Sequence, residues 1–144
     1  MPVHPDLLTS SYDDIGKASK HMTSWEIGSN AHRGGHQSPG SWLIGASNAL
    51  IERSPENALG HDMAACNAYK GAVAAASKVT QPVTFVLGTE DKMTPIQRSG
   101  DLVDAVENKT VVRMDKIGHM MPIEDPIGAR KAIANAIGWN GQRS

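Results

Sequence analysis

Two short apolar runs, "PVTFVLG" at 82–88 and "KTVVRMD" at 109–115, bracket a helix-patterned segment, and that arrangement leaves few folds open. Both runs are rich in β-branched residues, and the first ends in Gly88, as strands do. Its hydrophobicity is nearly continuous, which fits a strand buried on both faces. Between the runs, residues 94–108 place Ile96, Leu102, Val103 and Val106 on one side of a helix, with Thr94 as cap and Pro95 in the first turn. A further helix is expected over 124–140, capped by Asp125 and opened by Pro126. Its inward residues should be Ile127, Ile133, Ala136 and Ile137, and Gly138 should stop it. The order β-α-β-α predicts parallel strands joined by a right-handed helical crossover.

The chain upstream has a different texture and carries no convincing strand. Residues 12–27 set Ile15, Ala18, Met22 and Trp25 on one helical side, although Gly16 weakens the helix. Residues 28–40, "GSNAHRGGHQSPG", read as a loop. Residues 41–53 form a helix that groups Trp42, Ala46, Ala49 and Leu50, and Ser54-Pro55 breaks it. From 56 to 78, Met63, Cys66, Tyr69, Val73 and Ala76 recur at helical steps, with a break near Gly71. The organisation is thus a helical region, 1–79, followed by a β-α-β-α part, 80–144.

Composition narrows the function classes. The chain has 144 residues, a length that suits one domain, and 40% of them are hydrophobic. A net charge of −1, without any run of five or six like charges, argues against non-specific nucleic-acid binding. One cysteine, Cys66, cannot close an internal disulfide. No apolar stretch approaches the roughly 18–20 residues of a membrane span, and "MPVHPDLLTS" lacks the layout of a signal peptide. A soluble cytoplasmic protein, with no membrane partner, is the default expectation.

Each strand candidate is followed within a few residues by a side chain suited to proton-transfer chemistry. Asp91 lies three residues beyond Gly88, and His119 lies four beyond Asp115 in "IGHMMPIEDP". In a parallel α/β sheet, sites form at the carboxyl ends of strands. A carboxylate and an imidazole on one rim are the two helper groups of a hydrolytic triad. The imidazole takes and returns a proton, and the carboxylate fixes its tautomer and stabilises the imidazolium. The simpler alternative is a turn aspartate and a surface histidine. The order acid then base matches the last two places of Ser, Asp/Glu, His in one hydrolase class.

At these residues the chain resembles the α/β-hydrolase family. "QPVTFVLGTEDKMTP" is similar to the acid-bearing strand and loop, and "VVRMDKIGHMMPIEDPIGARKAI" to the last strand, the Gly-His loop and the final helix entered through Glu124, Asp125 and Pro126. The likeness is good over 80–144 and looser upstream, where "MPVHPDLL" resembles the end of the strand leading into a helical cap and 10–75 resembles that cap. The resemblance implies that Asp91 is the triad acid and His119 the base. It implies a partial α/β-hydrolase fold and, in a complete enzyme, ester-type hydrolysis of a small, apolar substrate through an acyl-enzyme. Met120, Met121, Trp25 and Trp42 are candidate walls of the substrate pocket, though plain packing accounts for them as well.

The nucleophile elbow G-x-S-x-G and an "HGGG"-type oxyanion loop do not occur in the sequence; "HRGGH" at 32–36 sits in the presumed cap. The expectation is therefore a truncated chain that supplies cap, acid and base, completed by an N-terminal half from a separate polypeptide or from a longer parent gene. The competing expectation is a non-catalytic ligand-binding or interaction module of hydrolase-like shape. One decoy is Gly45-Ala46-Ser47-Asn48-Ala49 in "WLIGASNALI", where Ser47 could be a nucleophile but is better read as a polar position in a helix. His32 and His36 share metal-ligand spacing, but Gly34-Gly35 between them and the lack of a third ligand favour a loop. Cys66 reads as a small buried hydrophobe, and His61-Asp62 as a helix-start pair. No cofactor or metal is implied. An open apolar strand edge at 82–88 would promote homo-oligomers.

Overall fold

A computed structural model describes residues 2–32, 37 and 40–139. Five helices come first: α1 (Pro5–Asp13), α2 (Ile15–Glu26), α3 (Leu43–Glu52), α4 (Ala58–Ala68) and α5 (Ala72–Ala76), with a 3-10 turn at Ser29–His32 after α2. Then come β1 (Val83–Gly88), α6 (Ile96–Ala105), β2 (Lys109–Met114), the single turn α7 (Met121–Glu124) and α8 (Pro126–Ala136). β1 and β2 pair in parallel, from Val83 opposite Lys109 to Gly88 opposite Met114, so both strands end on the same rim. The expected helical region followed by β-α-β-α is the observed architecture. Among the described residues β1 has no second neighbour, and it is half-buried rather than covered on both faces.

The helical region is tied together by small and polar side chains. α2 packs on both α1 and α3, and α1 packs on α4. Ser19 Oγ donates to Glu52 Oε1 at 2.9 Å, and Thr23 Oγ1 donates to Asn48 Oδ1 at 2.9 Å. These bonds decide which face of α3 turns inward. Trp42, Ala46, Ala49 and Leu50 do lie together, but on the outside, with Trp42 74% exposed. The buried face carries Ser47 instead, because its partner surface on α2 is polar. Residues 5–13 correct a second expectation. They form a helix rather than a strand end, since Pro5 sits in its first turn and His4 Nδ1 accepts the Asp6 N–H. Cys66 is exposed, not buried, because α4 meets α1 through the side that carries the buried Gly60. The interruption expected near Gly71 is present, between α4 and α5.

The core under the strands joins Met114, Ile117 and Ala129, with Val86 and Met121 packed against it. α8 is capped as the sequence indicates: Asp125 Oδ1 accepts the Gly128 N–H at 2.9 Å, and Gly138 follows the helix at a φ of +67°. The inward face of α8 is not the isoleucine face. Ala129 and Ala132 are buried, whereas Ile127, Ile133, Ala136 and Ile137 are exposed. Small residues let the helix approach Met114 and Ile117 closely, and the large ones are left outside. α6 begins at Ile96 behind Pro95 without a side-chain cap, because the Thr94 hydroxyl is used elsewhere.

Candidate active site

Three backbone segments meet where the two strands end. The Thr89 N–H donates to Met114 O, and the Glu90 N–H to Ile117 O, so the loops after β1 and β2 run side by side. The segment after α2 lies against both. The His119 N–H donates to Glu26 O at 2.6 Å. The approach is close enough to require glycine: a Cβ on Gly28 would stand 2.6 Å from Gly118 N and 2.7 Å from Lys116 O, and one on Gly88 would strike the Ile117 and Gly118 carbonyls.

This crossing brings the two sequence candidates together. His119 Nδ1 lies 2.9 Å from Asp91 Oδ2. The Asp91 side chain is 4% exposed and the His119 side chain 40%, so the acid is enclosed while the imidazole reaches solvent. Asp91 also accepts the Thr94 N–H at Oδ1 (2.8 Å) and the Thr94 hydroxyl at Oδ2 (2.6 Å). That Asp-x-x-Thr turn is why Thr94 does not cap α6. Thr94 Oγ1 also lies 3.2 Å from His119 Nδ1. With the Thr94 proton committed to Asp91, the arrangement accommodates a proton on Nδ1 directed at the carboxylate, which leaves Nε2 free to accept.

The electrostatics follow from these contacts. Burial pushes the Asp91 pKa up, but the hydrogen bonds from His119 and Thr94 and the charge of His119 outweigh it and hold the carboxyl below its ordinary value. The hydrogen bond to Asp91 is the largest influence on His119 and raises its pKa. Burial opposes it, and the charges of Asp91, Glu26 and Glu124 add to the rise.

Ser47 sits inside α3, in no strand-to-helix turn, and is buried. Met121 packs on the core cluster, and Met120 is half-buried just before α7. Trp25 stacks on His21 (5.5 Å between ring centres, 15° between planes) and tilts against His4. Trp42 stands in solvent at the start of α3. His61 lies within α4, its ring nearly perpendicular to that of Tyr12. His36 lies outside the described residues, and His32 ends the 3-10 turn. Among the described residues no three His, Cys, Asp or Glu side chains gather as metal ligands, and no helix is long and apolar enough to cross a membrane. A cleft of about 470 Å³ opens beside the acid loop, lined in part by Lys20, Ser24, Asn48, Glu90 and Lys92. Two residues of the site were not assigned to it from sequence: Thr94, whose spacing from Asp91 was the available signal, and Glu124, treated below.

The family model described as serine hydrolase (FSH1) matches residues 22–130, a span that includes Asp91 and His119. The chain belongs to the serine hydrolase (FSH1) family. Its fold is similar to that of a thermophilic esterase (TM-score 0.75, 19% identity), with 97% of this chain matched to 52% of the esterase. It is likewise similar to a thermophilic esterase from Thermogutta terrifontis (TM-score 0.76, 14% identity, 95% of this chain and 52% of that one). A hydrolase from Pseudomonas aeruginosa PA01 matches to the same extent (TM-score 0.76, 12% identity, 95% and 52%). At these identities the likeness establishes a partial α/β-hydrolase fold. The chain spans about half the length of these solved structures. No curated protein matches it.

Proposed function

We propose that Asp91 and His119 are the acid and base of an ester-hydrolysing triad whose nucleophile lies outside residues 1–144. The observation that carries this reading is the 2.9 Å contact between an enclosed carboxylate and a solvent-reaching imidazole at the ends of two parallel strands. Residues 1–79 serve as the cap over that site, and an N-terminal half, on a separate polypeptide or on a longer form of this chain, supplies the hydroxyl. In the reaction, the serine oxygen attacks the ester carbonyl carbon while its proton passes to His119 Nε2. Asp91 keeps its hydrogen bond at Nδ1 and stabilises the imidazolium. The C–O bond to the leaving group then breaks, and the alcohol takes that proton from Nε2. Water repeats the sequence on the acyl-enzyme, with the carboxylic acid as product and the serine restored. Ser47 is not the nucleophile, because a buried serine in mid-helix lacks the exposed turn that an elbow provides.

The second reading is a non-catalytic module that binds a small molecule, favoured by the cleft beside the acid loop. One experiment separates the two. The chain, carrying a C-terminal tag, is purified with its associated polypeptides from its native source and treated with a fluorophosphonate. The triad reading requires a labelled serine outside residues 1–144 and loss of labelling in the His119→Ala variant. Labelling at Ser47 overturns the assignment of the nucleophile, and no labelled serine at all favours the binding module.

A further inference from the structure

Glu124 is the one carboxylate among the described residues that is 0% exposed, and the hydrogen bonds it accepts converge on the segment that carries His119. Its Oε2 accepts the Gly28 N–H at 2.7 Å and the Gly118 N–H at 2.9 Å. Its Oε1 accepts the Met120 N–H at 3.0 Å. Gly118 and Met120 flank His119, and Gly28 belongs to the segment after α2, 96 residues away in sequence from Glu124. A charge is tolerated at that depth only when donors surround it, and three amide N–H groups here do so. The bonds are local to function as well as to stability. His119 has no secondary structure of its own; it sits between Ile117 and α7. What fixes its backbone is Glu124 on both flanks and the Glu26 carbonyl at its own N–H.

We propose that Glu124 is the positioning residue of the base: it clasps the backbone of residues 118–120 so that the His119 imidazole meets Asp91, and it locks the end of α2 to that loop through Gly28. The consequence for catalysis rests on reading His119 as the base, but the clasp itself does not. Glutamate has the reach and the acceptors for this task. Aspartate is one methylene shorter. Glutamine keeps the length but turns an acceptor into a donor facing an amide N–H, which leaves at least one bond unmade. Three ionisable groups bear on the imidazole through their charge: Asp91, Glu26 and Glu124. Glu26 is itself buried, and its Oε1 has no hydrogen-bond partner, whereas the Gly28, Gly118 and Met120 amides are taken by Glu124.

The test is an NMR study of the full chain, as wild type and as Glu124→Gln. In the wild type, the Gly28, Gly118 and Met120 amides should exchange at least tenfold more slowly than the solvent-facing amides of the same loops. In Glu124→Gln, at least one of these three amides should speed up at least tenfold while those of β1 and β2 stay protected. The His119 pKa should fall toward the ordinary value of about 6.5, and adding Asp91→Asn should then lower it by less than Asp91→Asn does in the wild type, a loss of coupling to Asp91 that removal of the Glu124 charge alone would not produce. Asp115→Asn, which neutralises the carboxylate after β2, should leave the His119 pKa unchanged. If Glu124→Gln does not fold, the wild-type amides decide: free exchange at Gly28, Gly118 and Met120 overturns the clasp. An unchanged His119 pKa in a folded Glu124→Gln also overturns it. These outcomes are independent of the fluorophosphonate result, so failure of the clasp and failure of the triad reading are told apart.

Discussion

At the scale of single residues, the Asp91–His119 pair should be visible in the pH dependence of stability. The raised pKa of His119 means that its contribution is complete below about pH 6.5 and is lost as pH climbs through the folded-state value above that. The lowered pKa of Asp91 means that its contribution is complete above about pH 4 and is lost as pH falls through the folded-state value below that. Both hold at full strength only between these limits. Asp91→Asn should therefore lower the melting temperature more at pH 5.5 than at pH 9, in thermal unfolding followed by circular dichroism. An equal loss at both pH values would mean that the pair is not ionic. Partial exposure of the imidazole screens the interaction, so the expected difference is modest.

At the scale of elements, the crossing of three backbones at Gly28, Gly88 and Gly118 is the tightest constraint. A methyl group at Gly88 meets carbonyl oxygens that cannot swing aside, and Gly88→Ala should cost at least about 2–3 kcal/mol in chemical denaturation. Gly100, inside α6, meets nothing within 4 Å, and Gly100→Ala should stabilise the chain by about 0.5–1 kcal/mol. A Gly88→Ala variant as stable as the wild type would disprove the close crossing. The strands, the capped α8 and the two strand-end residues were legible in the sequence because short-range chemistry fixes them: β-branched runs, Asp125 before Pro126, a polar residue just past each strand. The inward faces of α3 and α8 were not legible. Which side of a helix is buried depends on the surface it meets, and Thr23 on α2 selects Asn48, while Met114 and Ile117 select Ala129. The Thr94 and Glu124 roles were hidden for a related reason, since their acceptors and donors come from segments brought together only by the fold.

At the scale of the whole molecule, apolar surface stands uncovered in more than one place. Trp42 and Leu50 project from α3, and Ile127, Ile133 and Ile137 from α8, with Ile137 72% exposed. Beside the α8 residues runs an apolar groove of about 290 Å³ whose lining includes Pro122, Ala129 and Trp139. Surface of this kind favours association. The purified chain should self-associate with rising concentration in sedimentation velocity, and the double variant Ile133→Lys, Ile137→Lys should shift it toward monomer. A wild-type chain that stays monomeric at every concentration would show that this face has no such tendency. The helical region, the strand pair and the glycine crossing nevertheless converge on one hydrogen-bonded pair, Asp91 and His119, and its proton is the direct observable. In a nitrogen-15 NMR titration of the histidine rings, His119 should titrate above about 6.5 with its proton on Nδ1, and Asp91→Asn should bring that value down. A His119 that titrates as a free imidazole, indifferent to Asp91→Asn, would contradict its role as a base held by its acid.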